Sequence, residues 1–314
     1  MSDPTTRAPA TDAPALGESP PVAPVAPGQL SGALIVARFS LRESLRRRVF
    51  VVVGLLTLVF LTLYGLATWQ AFKAADDFSG PTEAGVDPDT VVGATLAGLA
   101  MFAILFLGTI LAVFLTLGAV RGDAERGLLQ PLLVRPLPRR TLLLGRWLGA
   151  TAVCAPYVML IALGAFGLTY VLGGWWPDHV VEPLLALALA VAIIAAMSLA
   201  GSIVLAATAN GIAVFMLFGA GLTAGLLGQI AEAIGSGSLD DIARVATWAL
   251  PFEALYQLGL AELTADTVGF TRLAIDLGPF GGAQTGGLGL WLWSLAYLVA
   301  VGAAAVAAFG RRDL

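Results

Sequence analysis

The sequence predicts an all-α membrane protein: six transmembrane helices, an N-terminal amphipathic interfacial helix, and a short cytosolic helix between spans two and three. Three observations carry this. Charged residues make up 12% of the 314-residue chain, about half of the ~25% usual in soluble domains, and mean hydropathy is +0.87. Uncharged runs repeatedly exceed the ~18–20 residues needed to cross a bilayer. The remaining charges are sorted by side, basic on one and acidic on the other.

Residues 1–28 are rich in Pro, Ala, Thr and Asp without apolar periodicity, and read as a disordered cytosolic tail. They are not a secretory signal, because the first apolar run begins only at Val49 and is too long and unbroken. Over residues 29–48, Leu30, Leu34, Ala37, Leu41 and Leu45 recur at helical spacing, while Arg38, Arg42, Arg46, Arg47 and Arg48 supply a polar side. Such a helix lies in the headgroup layer with its arginines at anionic lipid.

The first span covers residues 49–69, with Tyr64 and Trp69 toward an aromatic belt. An acidic outer loop follows. Residues 90–120 carry no charge, which places the second span at 91–120. As a helix this run is about 45 Å long at ~1.5 Å per residue, more than the ~30 Å hydrocarbon core, so it tilts or projects into the cytosol. The third span, 147–176, contains Pro156 as a kink and ends at Trp175, Trp176 and Pro177. Residues 183–231 are uncharged and suit two spans, 183–207 and 211–231, divided at Thr208-Ala209-Asn210-Gly211, where Asn-Gly punctuates a turn. Gly221 and Gly225 form a Gly-x-x-x-Gly pattern, a signal for close helix packing or a dimer contact.

Residues 232–287 form the one sizeable extramembrane segment, an outer loop. Ser238 with Asp241 starts a capping box that opens a short helix toward Trp248. Pro251 opens a second helix, PFEALYQLGL. Its Phe252, Leu255, Tyr256 and Leu258 make it apolar enough to lie at, or dip into, the interface. The sixth span covers 288–310, and residues 311–314 end the chain in the cytosol.

With the N-terminus inside, fourteen arginines face the cytosol, whereas Lys73, Arg244 and Arg272 face out with fourteen acids. That is a positive-inside pattern with both termini cytosolic. Arginine outnumbers lysine sixteen to one, a composition that fits a GC-rich bacterial genome and hence a bacterial cytoplasmic membrane.

Several chemistries lack their groups. There is no GxxxxGK[ST], and the single lysine, Lys73, lies in an outer loop, so the chain cannot bind ATP through a P-loop. Cys154 is the only cysteine and His179 the only histidine, which leaves no basis for a disulfide, a thiolate metal site or a two-histidine site. No span has a charge near its centre, which argues against an ion-coupled carrier. No cofactor, no catalytic residue and no nucleic-acid partner is expected. The chain reads as a route or scaffold into which energy enters from a partner.

The central stretch from Arg121 to Gly149 is the only large inner surface. It reads Glu125-Arg126-Gly127-Leu128-Leu129, Leu132-Leu133, Arg135-Pro136, Arg139-Arg140 and Leu142-Leu143-Leu144-Gly145-Arg146. This resembles the signature of bacterial ABC-2 type exporter permeases: a Glu-x-x-Gly-Thr element, a Leu-Leu pair, a Pro and Arg, then Leu-x-Gly-Lys. Leu128 stands in place of the usual Thr, Glu125 is two rather than three residues before Gly127, and Arg146 replaces Lys. The resemblance extends to the basic pre-span helix, the six spans and the terminal Phe309-x-Arg-Arg-Asp-Leu. Residues 250–256, Leu-Pro-Phe-Glu-Ala-Leu-Tyr, are similar to the Asn-Pro region of permeases that serve nitrous-oxide-reductase maturation, with Leu250 for Asn and Gln257 near the usual Arg.

The resemblance implies a homodimer of permeases with two cytosolic ABC ATPase subunits that bind the ATP and Mg. In that reading the Glu125–Leu133 helix docks on the ATPase. Its leucines pack in a groove while Glu125, Arg126, Arg139 and Arg140 fix register. The alternative is a non-transporting scaffold whose outer loop recruits an extracytoplasmic protein, with Pro251, Phe252, Glu253 and Tyr256 as its partner or gate residues. Lipids, drugs, peptides and copper- or sulfur-linked cargo all stay open as substrates.

Overall fold

The computed structural model describes residues 49–77, 86–117, 139–235, 237–276 and 286–311. The tail 1–28, the interfacial helix 29–48 with its five arginines, and the stretch 118–138 lie outside the described residues. Among the described residues there are nine α-helices and no strand. Six of them are long and apolar enough to cross a membrane: α1 (Val49–Asp77), α2 (Pro88–Thr116), α3 (Arg139–Gly173), α4 (Val181–Val204), α5 (Ala207–Ile234) and α9 (Gly287–Gly310). Between α5 and α9 stand three short helices, α6 (Gly237–Ala249), α7 (Pro251–Glu262) and α8 (Gly269–Asp276).

The six long helices alternate in direction. One end of the bundle carries Trp175 and the 174–180 turn; the other carries Leu117, Arg139, the break at 205–206 and Arg311. Helix α4 is the hub. It packs on α2, α3, α5, α7 and α9, and Ala186, Leu187, Ala190, Val191, Ile193, Ile194 and Ala195 are all buried. Helix α1 stands at the periphery against α2 and α3. Its inward stripe is Val53, Thr57, Tyr64, Thr68 and Phe72, spaced by about one or two helical turns. Thr57 shares a hydrogen bond with Tyr157 (2.7 Å) and Tyr64 with Thr169 (2.6 Å). Its other face exposes Val51, Leu55, Leu58 and Leu63, as a lipid-facing surface does.

In lipid, helices associate through close contact rather than by excluding water, so small residues set the packing. A Cβ at Gly108 of α2 would meet Val158 of α3 at 2.6 Å and Val191 of α4 at 2.8 Å. That glycine therefore fixes how closely the three central helices approach. At the Trp175 end, Asp87 caps α2 by accepting from the Asp89 N–H (3.2 Å), with Pro88 in the first turn. This start precedes the position 91 expected from hydropathy.

Two boundaries differ more. Helix α3 begins at Arg139, well before 147, because Arg139, Arg140 and Arg146 interrupt an apolar count but not a helix; Leu142 and Leu143 pack beneath them against Leu199, Ile203, Ala305 and Phe309. It runs through Pro156 and closes at Gly173, where Gly174 takes a φ of +72°. The break between α4 and α5 falls at Leu205–Ala206, not at Thr208–Gly211. Asn210 lies inside the first turns of α5 instead, buried, with its amide donating back to the Ser198 carbonyl at 2.8 Å. It serves a carbonyl of the preceding helix rather than forming the turn, and the turn moves upstream. Gly201 leaves the room that its side chain occupies.

Candidate functional site

The segment expected as an outer loop is largely folded into the bundle. After Ile234, Gly235 turns the chain with a φ of +67°, and α6 runs back alongside α5, with Ala243 against Gly228. The Leu250 N–H closes α6 on the Ala246 carbonyl (2.8 Å). Leu250 is held out of helical geometry (φ −130°, ψ 70°), as a residue before proline tends to be. Pro251 then starts α7, which returns to the Trp175 end. There the Leu263 carbonyl accepts from the Asp178 N–H (3.1 Å), and His179 and Glu262 pair at 2.8 Å.

The hairpin of α6 and α7 enters and leaves on one side. Glu253 lies against Gly225, nine residues from the end of α5, about 14 Å along that helix at ~1.5 Å per residue. The Tyr256 hydroxyl donates to the Gly98 carbonyl (3.3 Å), ten residues into α2, about 15 Å by the same measure. Every residue from Pro251 to Ala261 is buried.

Pro251, Phe252, Glu253 and Tyr256, expected on a partner-facing or gating loop, therefore stand inside the helix packing. None of the four presents its side chain on an outer surface. The reason is room made by small residues on the neighbours. Gly221 and Gly225 of α5 are contacted by Phe252 and Glu253, so this Gly-x-x-x-Gly pair receives α7. Phe252 stacks on Phe218 at 6.0 Å between ring centroids, and Gly259 admits Met101 and Pro183.

On its other side α7 lines a cavity of about 460 Å³ shared with α5, α6 and α9. Glu253 and Gln257, one turn apart, form its polar wall, and the Gln257 amide donates to the Glu253 carboxylate at 2.8 Å. The second Gln257 amide atom, Oε1, is buried without a hydrogen-bond partner. Trp248 and Trp293 meet edge to face at 5.0 Å, and the Trp293 indole N–H donates to the Trp248 carbonyl (3.1 Å). Exposed Arg244 lines the cavity from α6.

A buried ionisable side chain at this depth was not legible in the sequence, where Glu253 reads as one of the outer-side acids, on a helix that lies at or dips into the interface. The available signal was the low charge of PFEALYQLGL with Glu253 and Gln257 at i, i+4. Gln257, Trp248 and Arg244 stand out in the sequence only as a motif position, a helix end and an outer-side charge, and Trp293 not at all. Among the described residues no group of three or more His, Cys, Asp or Glu side chains converges as a metal site. Cys154 is buried in the core.

The docking residues Glu125, Arg126, Gly127, Leu128, Leu129, Leu132, Leu133, Arg135 and Pro136 lie outside the described residues, as do Arg38, Arg42, Arg46, Arg47 and Arg48. Arg139 opens α3, and Arg140 follows it, exposed. The chain thus leaves α2 at Leu117 and re-enters the bundle at Arg139, on the end opposite the cavity. Residues 34–314 match the family model described as ABC-2 family transporter protein. No curated protein matches the chain.

Proposed function

The chain belongs to the ABC-2 family of transporter proteins as a multi-pass membrane permease component, and from that premise we propose that it works as the permease of an ATP-driven exporter. ATP is hydrolysed by two cytosolic ATPase subunits, a second permease copy completes the pathway, and the Arg139 end faces the cytosol of a bacterial inner membrane. Fourteen arginines on that side support the orientation.

The observation that carries the reading is the attachment of the central stretch. Residues 118–138 join α2 directly to α3, and these two helices pack along each other and on the hub α4. Helix α3 has 35 residues, about 52 Å at ~1.5 Å per residue, well beyond the ~30 Å hydrocarbon core. A force that reaches Leu117 and Arg139, the ends of this stretch, therefore enters the core through two long packed helices. The missing P-loop gives the reason for such a surface, since the energy must come from another chain.

The test is a double charge reversal, Glu125→Arg with Arg126→Glu. Transport and ATPase copurification should be lost while the variant stays monodisperse and thermally unchanged. Intact docking and transport would refute the coupling role. Pro251, Phe252, Glu253 and Tyr256 act in this reading as an internal gate, on the strength of their burial between α2, α4 and α5.

A further inference from the structure

We propose that the cavity between α5, α6, α7 and α9 is a binding site for an organic ammonium ion: a primary or secondary amine cation on an apolar or aromatic body. The polar wall is made of acceptors. Glu253 is 3% exposed and Gln257 8% exposed. A carboxylate offers about four acceptor positions, and among the described residues the hydrogen bond that reaches the Glu253 side chain is the one from Gln257. Gln257 Oε1 is a second buried acceptor, without any partner. Buried polar groups are almost always satisfied, and an orphan calls for an explanation.

The neighbouring donors are already engaged. The Trp293 N–H goes to the Trp248 carbonyl (3.1 Å), and the Thr247 hydroxyl goes to the Ala243 carbonyl (2.9 Å). What the buried part of the wall, Glu253 and Gln257, lacks is a positively charged group with N–H donors between its two acceptors; Arg244 lines the cavity from its exposed side. An ammonium ion supplies both, one N–H to each residue, and its charge offsets that of a carboxylate held away from water.

The rest of the cavity suits the body of such a ligand. Its volume, about 460 Å³, is that of a small-molecule pocket. Trp248 and Trp293 supply aromatic faces, which attract cations as well as apolar groups. Small walls at Gly225, Gly228 and Gly289 make the room. Among the described residues no group of three or more His, Cys, Asp or Glu side chains gathers here or elsewhere as a metal-binding cluster. Arg244 also lines the site but stands exposed, whereas the buried groups are the acceptors. That the bound cation is cargo rests on the export reading; that it binds does not.

The test is isothermal titration of the full chain in lipid nanodiscs without any ATPase, with protein-free nanodiscs subtracted. The probes are 3,3-diphenylpropylammonium, its neutral alcohol analogue, and its N-trimethylated form. The amine should bind about tenfold or more tighter than the alcohol, the scale of a charge-assisted hydrogen bond. The trimethylated form, without N–H donors, should fall between. Glu253→Gln should erase the preference. Gly289→Leu, at a position with open space beside it, should fill the cavity and weaken both amine and alcohol about tenfold. Equal binding of amine and alcohol, or a preference that survives Glu253→Gln, would overturn the proposal. If Glu253→Gln fails to fold, Gly289→Leu decides, and unchanged amine binding there overturns it. Failure here leaves the ATPase coupling untouched, because no ATPase is present. Loss of coupling in the Glu125/Arg126 variant leaves this binding untouched.

Discussion

Replacing Gly221 by alanine tests the seat of α7 directly. A Cβ at Gly221 would lie 2.7 Å from Cζ and 2.9 Å from Cε2 of Phe252, where carbon atoms prefer ~3.5–4.0 Å. Something must move by about 1 Å on that comparison. Phe252 cannot retreat easily, being 1% exposed and stacked on Phe218. Overpacking of this kind costs about 1–3 kcal/mol. Alanine in place of glycine inside a helix gives back about 0.5–1 kcal/mol. The net loss is then about 0.5–2 kcal/mol. Two residues away, Gly219 has nothing within 4 Å of its Cβ position. Gly219→Ala keeps only the propensity gain of about 0.5–1 kcal/mol, so the two variants should differ by about 1–3 kcal/mol. Thermal unfolding of purified protein, followed by tryptophan fluorescence and checked by size exclusion, reads this. The expected order is Gly219→Ala at or above wild type and Gly221→Ala below it. Gly225→Ala, aimed at the Glu253 carboxylate, should behave like Gly221→Ala. Equal stability of Gly219→Ala and Gly221→Ala would refute the packing argument. So would a change of oligomeric state in Gly221→Ala without loss of stability.

Three further outcomes follow from the geometry. The hydrogen bond that the His179 ring donates to the Glu262 carboxylate raises the His179 pKa above the ordinary histidine value. A raised folded-state pKa stabilises fully below the unfolded value and the benefit disappears as pH rises through the folded one. Thermal stability should therefore drift down as pH rises past the ordinary histidine range, and Glu262→Gln should move the His179 imidazole titration, followed by NMR, to lower pH. Asn210→Ala removes the buried hydrogen bond that ties the start of α5 to the Ser198 carbonyl of α4 and should cost about 0.5–1.5 kcal/mol, measured by thermal unfolding. Gly108→Ala drives a methyl into Val158 and Val191; a loss of about 1–3 kcal/mol is expected, with cross-linking between paired cysteines on α2 and α3 reporting the separation.

The six spans were legible because a bilayer imposes a length, and uncharged runs announce it. Their ends were less so. Arg139 and Arg140 stop an apolar count while the helix continues through them, and Asn210 satisfies a carbonyl across the break where its turn propensity pointed to the break itself. The α6–α7 hairpin reads in sequence as two short helices of an outer loop, the second lying at or dipping into the interface, because neither is long enough to span. Its burial depends on a match between surfaces distant in sequence: Phe252 on Gly221, Glu253 on Gly225, Tyr256 on Gly98. No local pattern contains that match. Gly221 and Gly225 receive α7, and spacing alone cannot say which helix arrives at a Gly-x-x-x-Gly pair.

The hairpin also constrains how the chain is made. Helices α6 and α7 have 13 and 12 residues, each short of the ~20 a segment needs to be taken into a bilayer as a span. Neither can be inserted on its own merits during synthesis. They pack against α2, α4 and α5, which precede them in the chain, and α9, which packs on α7, follows them. A chain ended at Ile234 would therefore hold five spans without the residues that cover Gly221, Gly225 and Gly98.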